Sequence, residues 1–159
     1  MIIKQLVDED FVNYKKPSMF IAFPSCTWKC EKECGMRVCQ NSTLATSPNI
    51  TIDIDKIVER YINNPITSAI VIGGLEPFDN ARDLVNLVDA IRTKTNDDIV
   101  IYTGYTEEEL QDNFYFQQII QFKNIIIKFG RFRPNQNPHY DEVLGVNLAS
   151  DNQYAKRYD

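Results

Sequence analysis

The chain has 159 residues, of which 43% are hydrophobic and 25% charged, and this size and composition fit one folded domain rather than a disordered or fibrous protein. Its 17 Lys and Arg residues against 22 Asp and Glu residues give a formal net charge of −5 without any dense basic segment, which argues against nucleic acid as a partner. The longest apolar runs are far shorter than the roughly 18 residues that a membrane-spanning helix needs. Residues 1–10 also lack the basic start of a secretory signal, so we expect a cytoplasmic protein with no membrane partner.

Strands and helices are predicted to alternate along the chain. A first helix is expected after an N-cap at Asp53 or Asp55, and a second one from Asp79 onward, where apolar residues recur at spacings of three and four. Thr106 and Glu109 have the spacing of a capping box at the start of a short acidic helix. The predicted strands are short β-branched or apolar runs, and they cover residues 2–6, 18–23, 68–72, 98–102 and 125–128.

This alternation predicts an α/β fold in a single domain that covers residues 1–159. Strand, helix, strand order favours a parallel sheet with right-handed crossovers. A closed eight-stranded barrel needs about 250 residues, so we expect a partial (β/α) barrel or an open, mostly parallel sheet. Residues 24–42 are expected to form a loop that leaves the carboxyl end of a strand, where α/β proteins carry functional groups. Residues 130–159 show no clear periodicity and are expected to be an irregular segment packed on the domain.

Four cysteines fall within 14 residues, at positions Cys26, Cys30, Cys34 and Cys39. Thiolates that converge from a short loop suit either zinc or an iron–sulfur cluster. The spacings of three, three and four intervening residues match poorly with the two separated pairs of a structural zinc site. Buried cysteines without a metal are a third interpretation, although the charged neighbours of these four do not resemble a core segment. The pattern therefore favours an iron–sulfur cluster.

Four motifs together resemble one known family. They are PSCTWKC at 24–30, GGLEPF at 73–78, IYTGYTEEEL at 101–110 and GVNLASDNQ at 145–153. Their order and the chain length are similar to those of the activating proteins of anaerobic ribonucleotide reductase, which are small radical S-adenosylmethionine (SAM) enzymes. The resemblance implies a radical-SAM type fold, a 4Fe-4S cluster and SAM. It also implies transfer of one electron from a donor such as a flavodoxin or ferredoxin, reductive cleavage of SAM, and formation of a glycyl radical on the large reductase subunit.

The cysteine segment departs from that family's usual pattern, in which two residues separate the second and third cysteines. In that family the third cysteine is commonly followed, two positions later, by an Asn. Cys39 has this feature, because Asn41 lies two positions after it. The resemblance thus implies Cys26, Cys30 and Cys39 as the cluster ligands, with an insertion that contains Cys34. Cys34 is a spectator, a fourth ligand or the true third ligand. No catalytic acid–base residue is expected.

The resemblance also implies which residues contact SAM. The GG-x-E-P loop is assigned to the methionyl part, and Val38 to the adenine. Gly73 and Gly74 let backbone groups approach a ligand closely. Glu76 either accepts a hydrogen bond from the SAM amine or caps the helix that follows, and Gly104 either lines the pocket or forms a tight turn.

Two further functions remain open from the sequence. One is a minimal radical SAM enzyme that acts on a small molecule, of the deazapurine type, and the other is a four-cysteine zinc module for protein interaction. Arg131 and Arg133 flank Phe132, and we interpret them as part of a solvated loop or a partner contact. His139 is expected to be a surface or packing residue, and Trp28 either shields the cofactors or packs in the core.

Overall fold

A computed structural model describes residues 1–36 and 42–159, and at Lys29 and Cys30 it describes the backbone alone. The predicted ligand Cys39 and the predicted adenine contact Val38 therefore lie outside the described residues. The strands are β1 (Ile2–Ile3), β2 (Gln5–Asp10), β3 (Ser18–Phe23), β4 (Ile50–Thr51), β5 (Ala69–Gly74), β6 (Asp98–Tyr102), β7 (Ile125–Phe129), β8 (His139–Asp141), β9 (Val146–Leu148) and β10 (Tyr154–Tyr158). The helices are α1 (Lys29–Cys34), α2 (Ser42–Thr46), α3 (Ile54–Ile62), α4 (Ala81–Arg92), α5 (Glu107–Leu110) and α6 (Phe114–Ile119), with a 3₁₀ turn at Pro77–Asn80.

In the described part of the chain, the main sheet has six strands in the order β10, β7, β6, β5, β3, β2. The four central strands are parallel, and the two edge strands pair antiparallel with their neighbours. Within the described parts of the chain the sheet is open and does not close into a barrel. This confirms the prediction of an α/β fold with an open, mostly parallel sheet.

The sheet is buried on both faces, which explains why its central strands are nearly continuous apolar runs. Ile70 of β5 belongs to the core that the sheet forms with the apolar faces of α3, α4 and α6. Its neighbour Val71 points to the other face and packs in a smaller core with Tyr14, Leu144 and Leu148. Helices therefore cover one face of the sheet, and the chain around residues 14 and 139–148 covers the other.

Several sequence predictions are confirmed. Strands β3 and β6 have the predicted bounds, and Asp53 occupies the N-cap position of α3. The capping box of α5 is present, because the Thr106 hydroxyl accepts from the Glu109 amide at 3.1 Å and the Glu109 carboxylate accepts from the Thr106 amide at 2.9 Å. The helix expected from Asp79 begins as the 3₁₀ turn and continues as α4.

The first predicted strand is two strands. Residues 2–3 pair with β4, whereas residues 5–10 pair with β3 as an edge of the main sheet. Lys4 separates them, and its amide donates to the Ala22 carbonyl oxygen at 2.7 Å. An apolar run alone does not show that a chain changes its pairing partner within a few residues.

The prediction of an irregular segment at 130–159 is wrong, because β8 and β9 form a hairpin and β10 pairs along the whole of β7. The side chains of β10 are half-buried or exposed, as is common at a sheet edge, so the strand lacks a clear apolar pattern. The cysteine segment also departs from a simple loop, because it contains α1. Its Lys and Glu residues favour a helix, which ends at Gly35 in the left-handed conformation.

No helix in the described part of the chain has both the length and the apolar character needed to cross a membrane.

Candidate functional site

Four loops meet where the parallel strands β3, β5, β6 and β7 end. Phe23 at the end of β3 lies opposite Gly74 of β5, and Tyr102 at the end of β6 lies opposite Lys128 of β7. The cysteine segment, the GGLEP loop, the TGYT loop and the loop that begins at Gly130 therefore leave the sheet at one edge. Ligand sites of open α/β sheets are commonly found at this edge.

Asp79 connects three of these loops. It follows the GGLEPF motif, and its carboxylate accepts from the Thr27 amide at 2.9 Å, one residue after Cys26. The other carboxylate oxygen accepts from the Tyr105 hydroxyl of the TGYT loop at 2.6 Å. The Glu76 amide adds a direct bond to the Ser25 carbonyl oxygen at 2.8 Å. The motifs that sequence analysis found separately are thus parts of one hydrogen-bonded site.

Glu76 lies inside this site with only 5% of its surface exposed. Its Oε1 accepts from the Phe78 amide at 3.1 Å and the Thr103 hydroxyl at 2.8 Å, and its Oε2 accepts from the Gly104 amide at 2.8 Å. The capping role considered for Glu76 is therefore present, together with a bridge to the TGYT loop. Burial raises the pKa of the Glu76 carboxyl to about 7, and the three hydrogen bonds oppose that rise.

The three glycines predicted to contact SAM have different surroundings. A Cβ at Gly74, where φ is +89°, would lie 2.7 Å from Ala22 Cα, so β3 itself requires a glycine there. A Cβ at Gly73 would lie 3.4 Å from the ring of Phe20 and 3.5 Å from Tyr102 Cβ. At Gly104 it would make ordinary contacts of 3.5 Å with Arg131 and Glu76. Tight packing thus explains Gly74, and Gly104 stays a predicted pocket residue.

Cys26 lies three residues after the end of β3 and is half-buried. Its sulfur accepts a hydrogen bond from the Trp28 amide at 3.2 Å, and Trp28 itself is in the left-handed conformation at φ 59°. Hydrogen bonds to the sulfur atoms help to set the reduction potential of iron–sulfur clusters. This environment fits a thiolate ligand.

Helix α1 carries Cys30 and Cys34 one turn apart, at positions i and i+4. Cys34 is half-buried, and its thiol lies 4.0 Å from the Glu31 carbonyl oxygen and 3.9 Å from that of Met36. Within the described residues no three Cys, His, Asp or Glu side chains form a metal-ligand group. Because the side chain of Cys30 and all of Cys39 lie outside that set, the ligand assignment stays a prediction.

Arg131 belongs to this site, although the sequence analysis did not assign it there. The expectation of a solvated loop is wrong for this residue, which has 6% of its surface exposed, whereas Arg133 is exposed. The Arg131 guanidinium donates to Glu109 at 2.7 Å and lies 5.7 Å above the ring of Tyr105. The sequence pattern of two arginines around one aromatic residue does not indicate that either arginine is buried, so only the fold could reveal the burial of Arg131.

The C-terminal SDNQ motif holds the loop after β7 in place. Gln153 accepts from the amides of Ala149 and Ser150 at 3.1 Å and donates to the Gly130 carbonyl oxygen at 3.3 Å. Asn152 donates to the Arg131 carbonyl oxygen at 2.8 Å. The motif therefore acts through the backbone of the loop that bears Arg131.

The chain matches the family described as a 4Fe-4S single cluster domain over residues 17–153. It belongs to this family and is an iron–sulfur protein, which confirms the iron–sulfur interpretation of the cysteine segment. No match was found among curated proteins.

Proposed function

We propose that this protein is a radical SAM activase that generates a glycyl radical on an anaerobic ribonucleotide reductase. The bound 4Fe-4S cluster supplies one electron for cleavage of the sulfonium bond of SAM, which gives methionine and a 5′-deoxyadenosyl radical that takes a hydrogen atom from a glycine Cα. The electron comes from a donor such as a flavodoxin or ferredoxin. The large subunit of the reductase is thus a protein substrate.

The observation that carries the proposal is the bridge made by Asp79. Its two carboxylate oxygens accept from Thr27 in the cysteine segment and from Tyr105 in the TGYT loop, and Asp79 itself follows the GGLEPF motif. Three of the four motifs on which the resemblance to activases depends are therefore adjacent in space. This supports a single site for a cluster and SAM at the carboxyl edge of the sheet.

Each motif has a role in the proposed site. Cys26, Cys30 and Cys39 would hold the cluster, which would bind the amine and carboxylate of SAM. The GGLEP loop holds the methionyl part, Val38 contacts the adenine, and Gly104 lines the pocket. Glu76 keeps the two loops together through its bonds to Thr103 and Gly104, and it is the carboxylate proposed to meet the SAM amine.

Anaerobic reconstitution tests the first step of this proposal. We expect about four irons per chain, and a paramagnetic signal of the reduced cluster that changes when SAM is added. A reductant should then release 5′-deoxyadenosine. A cluster whose signal does not respond to SAM, with no 5′-deoxyadenosine formed, would contradict the proposal.

The partner is tested separately. Addition of the anaerobic reductase large subunit should produce a glycyl radical signal on that subunit, whereas a variant subunit with Ala in place of the radical glycine should give none. SAM cleavage without any glycyl radical would favour the small-molecule alternative.

The ligand assignment is tested by four single substitutions. Cys34→Ala should retain the cluster and SAM cleavage, whereas Cys26→Ala, Cys30→Ala and Cys39→Ala should each lose them. Cys34→Ala is the matched control, because it removes one thiol from the same segment. Loss of the cluster in Cys34→Ala with activity retained in Cys39→Ala would instead assign Cys26, Cys30 and Cys34 as ligands.

A further inference from the structure

Arg131 lies between two carboxylates that belong to different helices. Its Nη2 donates to Glu109 Oε1 of α5 at 2.7 Å, and its Nε lies 3.5 Å from Glu33 Oε1 of α1. The Arg131 side chain is 7% exposed, whereas that of Glu33 is 53% exposed. We call Arg131, Glu33 and Glu109 the Arg131 clamp. It joins the cysteine segment to the loop after β7.

One end of this clamp is fixed by several contacts. Glu109 is held by the capping box of α5, because its other carboxylate oxygen accepts from the Thr106 amide at 2.9 Å. The guanidinium also lies over the ring of Tyr105, and Asn152 binds the Arg131 carbonyl oxygen. An arginine guanidinium is planar and carries a permanent positive charge in proteins, so its direction is fixed by the contacts that hold it. Arg131 therefore presents a rigid positive charge to α1.

Helix α1 is short and only partly buried. It has six residues, and its described side chains from Glu31 to Cys34 are half-buried or exposed. A helix this short depends on tertiary contacts for its stability. The bond from Thr27 to Asp79 fixes the chain before the helix, and Glu33 lies near its end.

We propose that Arg131 is a positioning residue that fixes the cysteine-bearing helix α1 on the sheet through Glu33. Arg131 acts through the helix that bears Cys30. The inference rests on the proposed function only in taking Cys30 as a cluster ligand. It assigns a role to Glu33, which lies in the insertion that separates this chain from the usual spacing of the activase family.

Hydrogen exchange of the metal-free, reduced chain tests the proposal. In Glu33→Gln the amides of residues 29–36 should exchange about twofold to fivefold faster, the range set by a partly exposed ion pair. Arg131→Gln should have a similar effect on the same peptide, although this substitution leaves the sequence of residues 29–36 unchanged. The double variant should exchange no faster than the more affected single variant, because both changes remove the same Arg131–Glu33 ion pair.

Glu108→Gln is the matched control, because it removes an exposed carboxylate next to Glu109 and should leave exchange of residues 29–36 unchanged. If Arg131→Gln does not fold, Glu33→Gln and the salt dependence of the unmodified chain decide the matter, since high salt should raise exchange of this peptide toward the Glu33→Gln rate. Unchanged exchange in Glu33→Gln, or a double variant whose effect is the product of the two single effects, would overturn the proposal.

A second measurement separates positioning from simple stability. In the reconstituted chain, Glu33→Gln should release iron to a chelator faster and change the line shape of the reduced-cluster signal, while the midpoint of global unfolding stays within error of the unmodified chain. A shifted unfolding midpoint with unchanged iron release would overturn the positioning role. Because exchange is measured without metal or SAM, failure of the exchange prediction leaves the proposed activase function intact. Failure of SAM cleavage likewise leaves the clamp intact.

Discussion

Gly74 is expected to be the glycine whose replacement harms the fold most among those at the carboxyl edge of the sheet. It ends β5 with φ +89°, and an added Cβ would lie 2.7 Å from Ala22 Cα, Ala22 Cβ and the Phe23 amide nitrogen. Two of these three atoms are backbone atoms of β3, which pairs with β5 over its whole length. The neighbouring strand cannot move away without loss of that pairing.

The expected cost of Gly74→Ala has two sources. The positive φ costs roughly 1–2 kcal/mol for a residue with a Cβ, and the overlap with β3 adds roughly 1–3 kcal/mol of overpacking. Their sum, about 2–5 kcal/mol, is lowered by up to about 1 kcal/mol because alanine restricts the unfolded chain. We expect a net loss of about 3 kcal/mol, which for a chain of this size lowers Tm by about 6–12 °C.

Urea unfolding of the metal-free chain measures this loss against two matched controls. Gly35→Ala has a positive φ of +68° but no described atom within 4 Å of the new Cβ, so it should cost about 1 kcal/mol. Gly104→Ala has neither problem, since its closest contacts are 3.5 Å, and should change stability by no more than about 0.5 kcal/mol. Equal midpoints for Gly74→Ala and Gly104→Ala would refute the reasoning.

Three other predictions concern single side chains. Because the pKa of buried Glu76 is raised from 4.5 to about 7, the stability it contributes is present below pH 4.5 and is lost as the pH rises through 7. Urea titrations of the metal-free chain should show that the free energy of unfolding falls by about 3 kcal/mol across that pH range. Glu76→Gln should not show this fall, and a rise in stability over the same range would contradict the assignment. Burial opposes ionisation of Asp98, but hydrogen bonds from Arg157, Lys16 and Tyr14 outweigh it and hold its pKa well below the usual range, so its contribution is present above about pH 4 and is lost in acid. Asp98→Asn should cost about 2–4 kcal/mol at pH 7 and flatten the acid limb of the stability curve, and an unchanged acid limb would count against this role. Thr106→Ala should cost about 1 kcal/mol through loss of the α5 cap and Thr106→Ser much less, with thermal unfolding as the measure; equal losses in both would argue against capping.

Local features of the chain were sufficient to predict most of the fold. β3 and β6 end where Pro24 and Thr103-Gly104 interrupt an apolar run, and the capping box at Thr106 needs residues only three positions apart. The parallel sheet follows from the alternation of strands and helices, and with it the convergence of three motifs at one edge. Such features act within a few residues, so periodicity and spacing record them.

The tertiary structure decided the features that depend on contacts between distant residues. Asp79 binds Thr27, 52 residues away, and Glu76 binds Gly104, 28 residues away, so neither carboxylate shows its partner in the local sequence. The same holds for Arg131, which is buried against Glu109, 22 residues before it. A charged side chain in a polar segment is usually solvated, and only the packing of four loops at one edge makes burial of this guanidinium favourable, because it brings carboxylates to it.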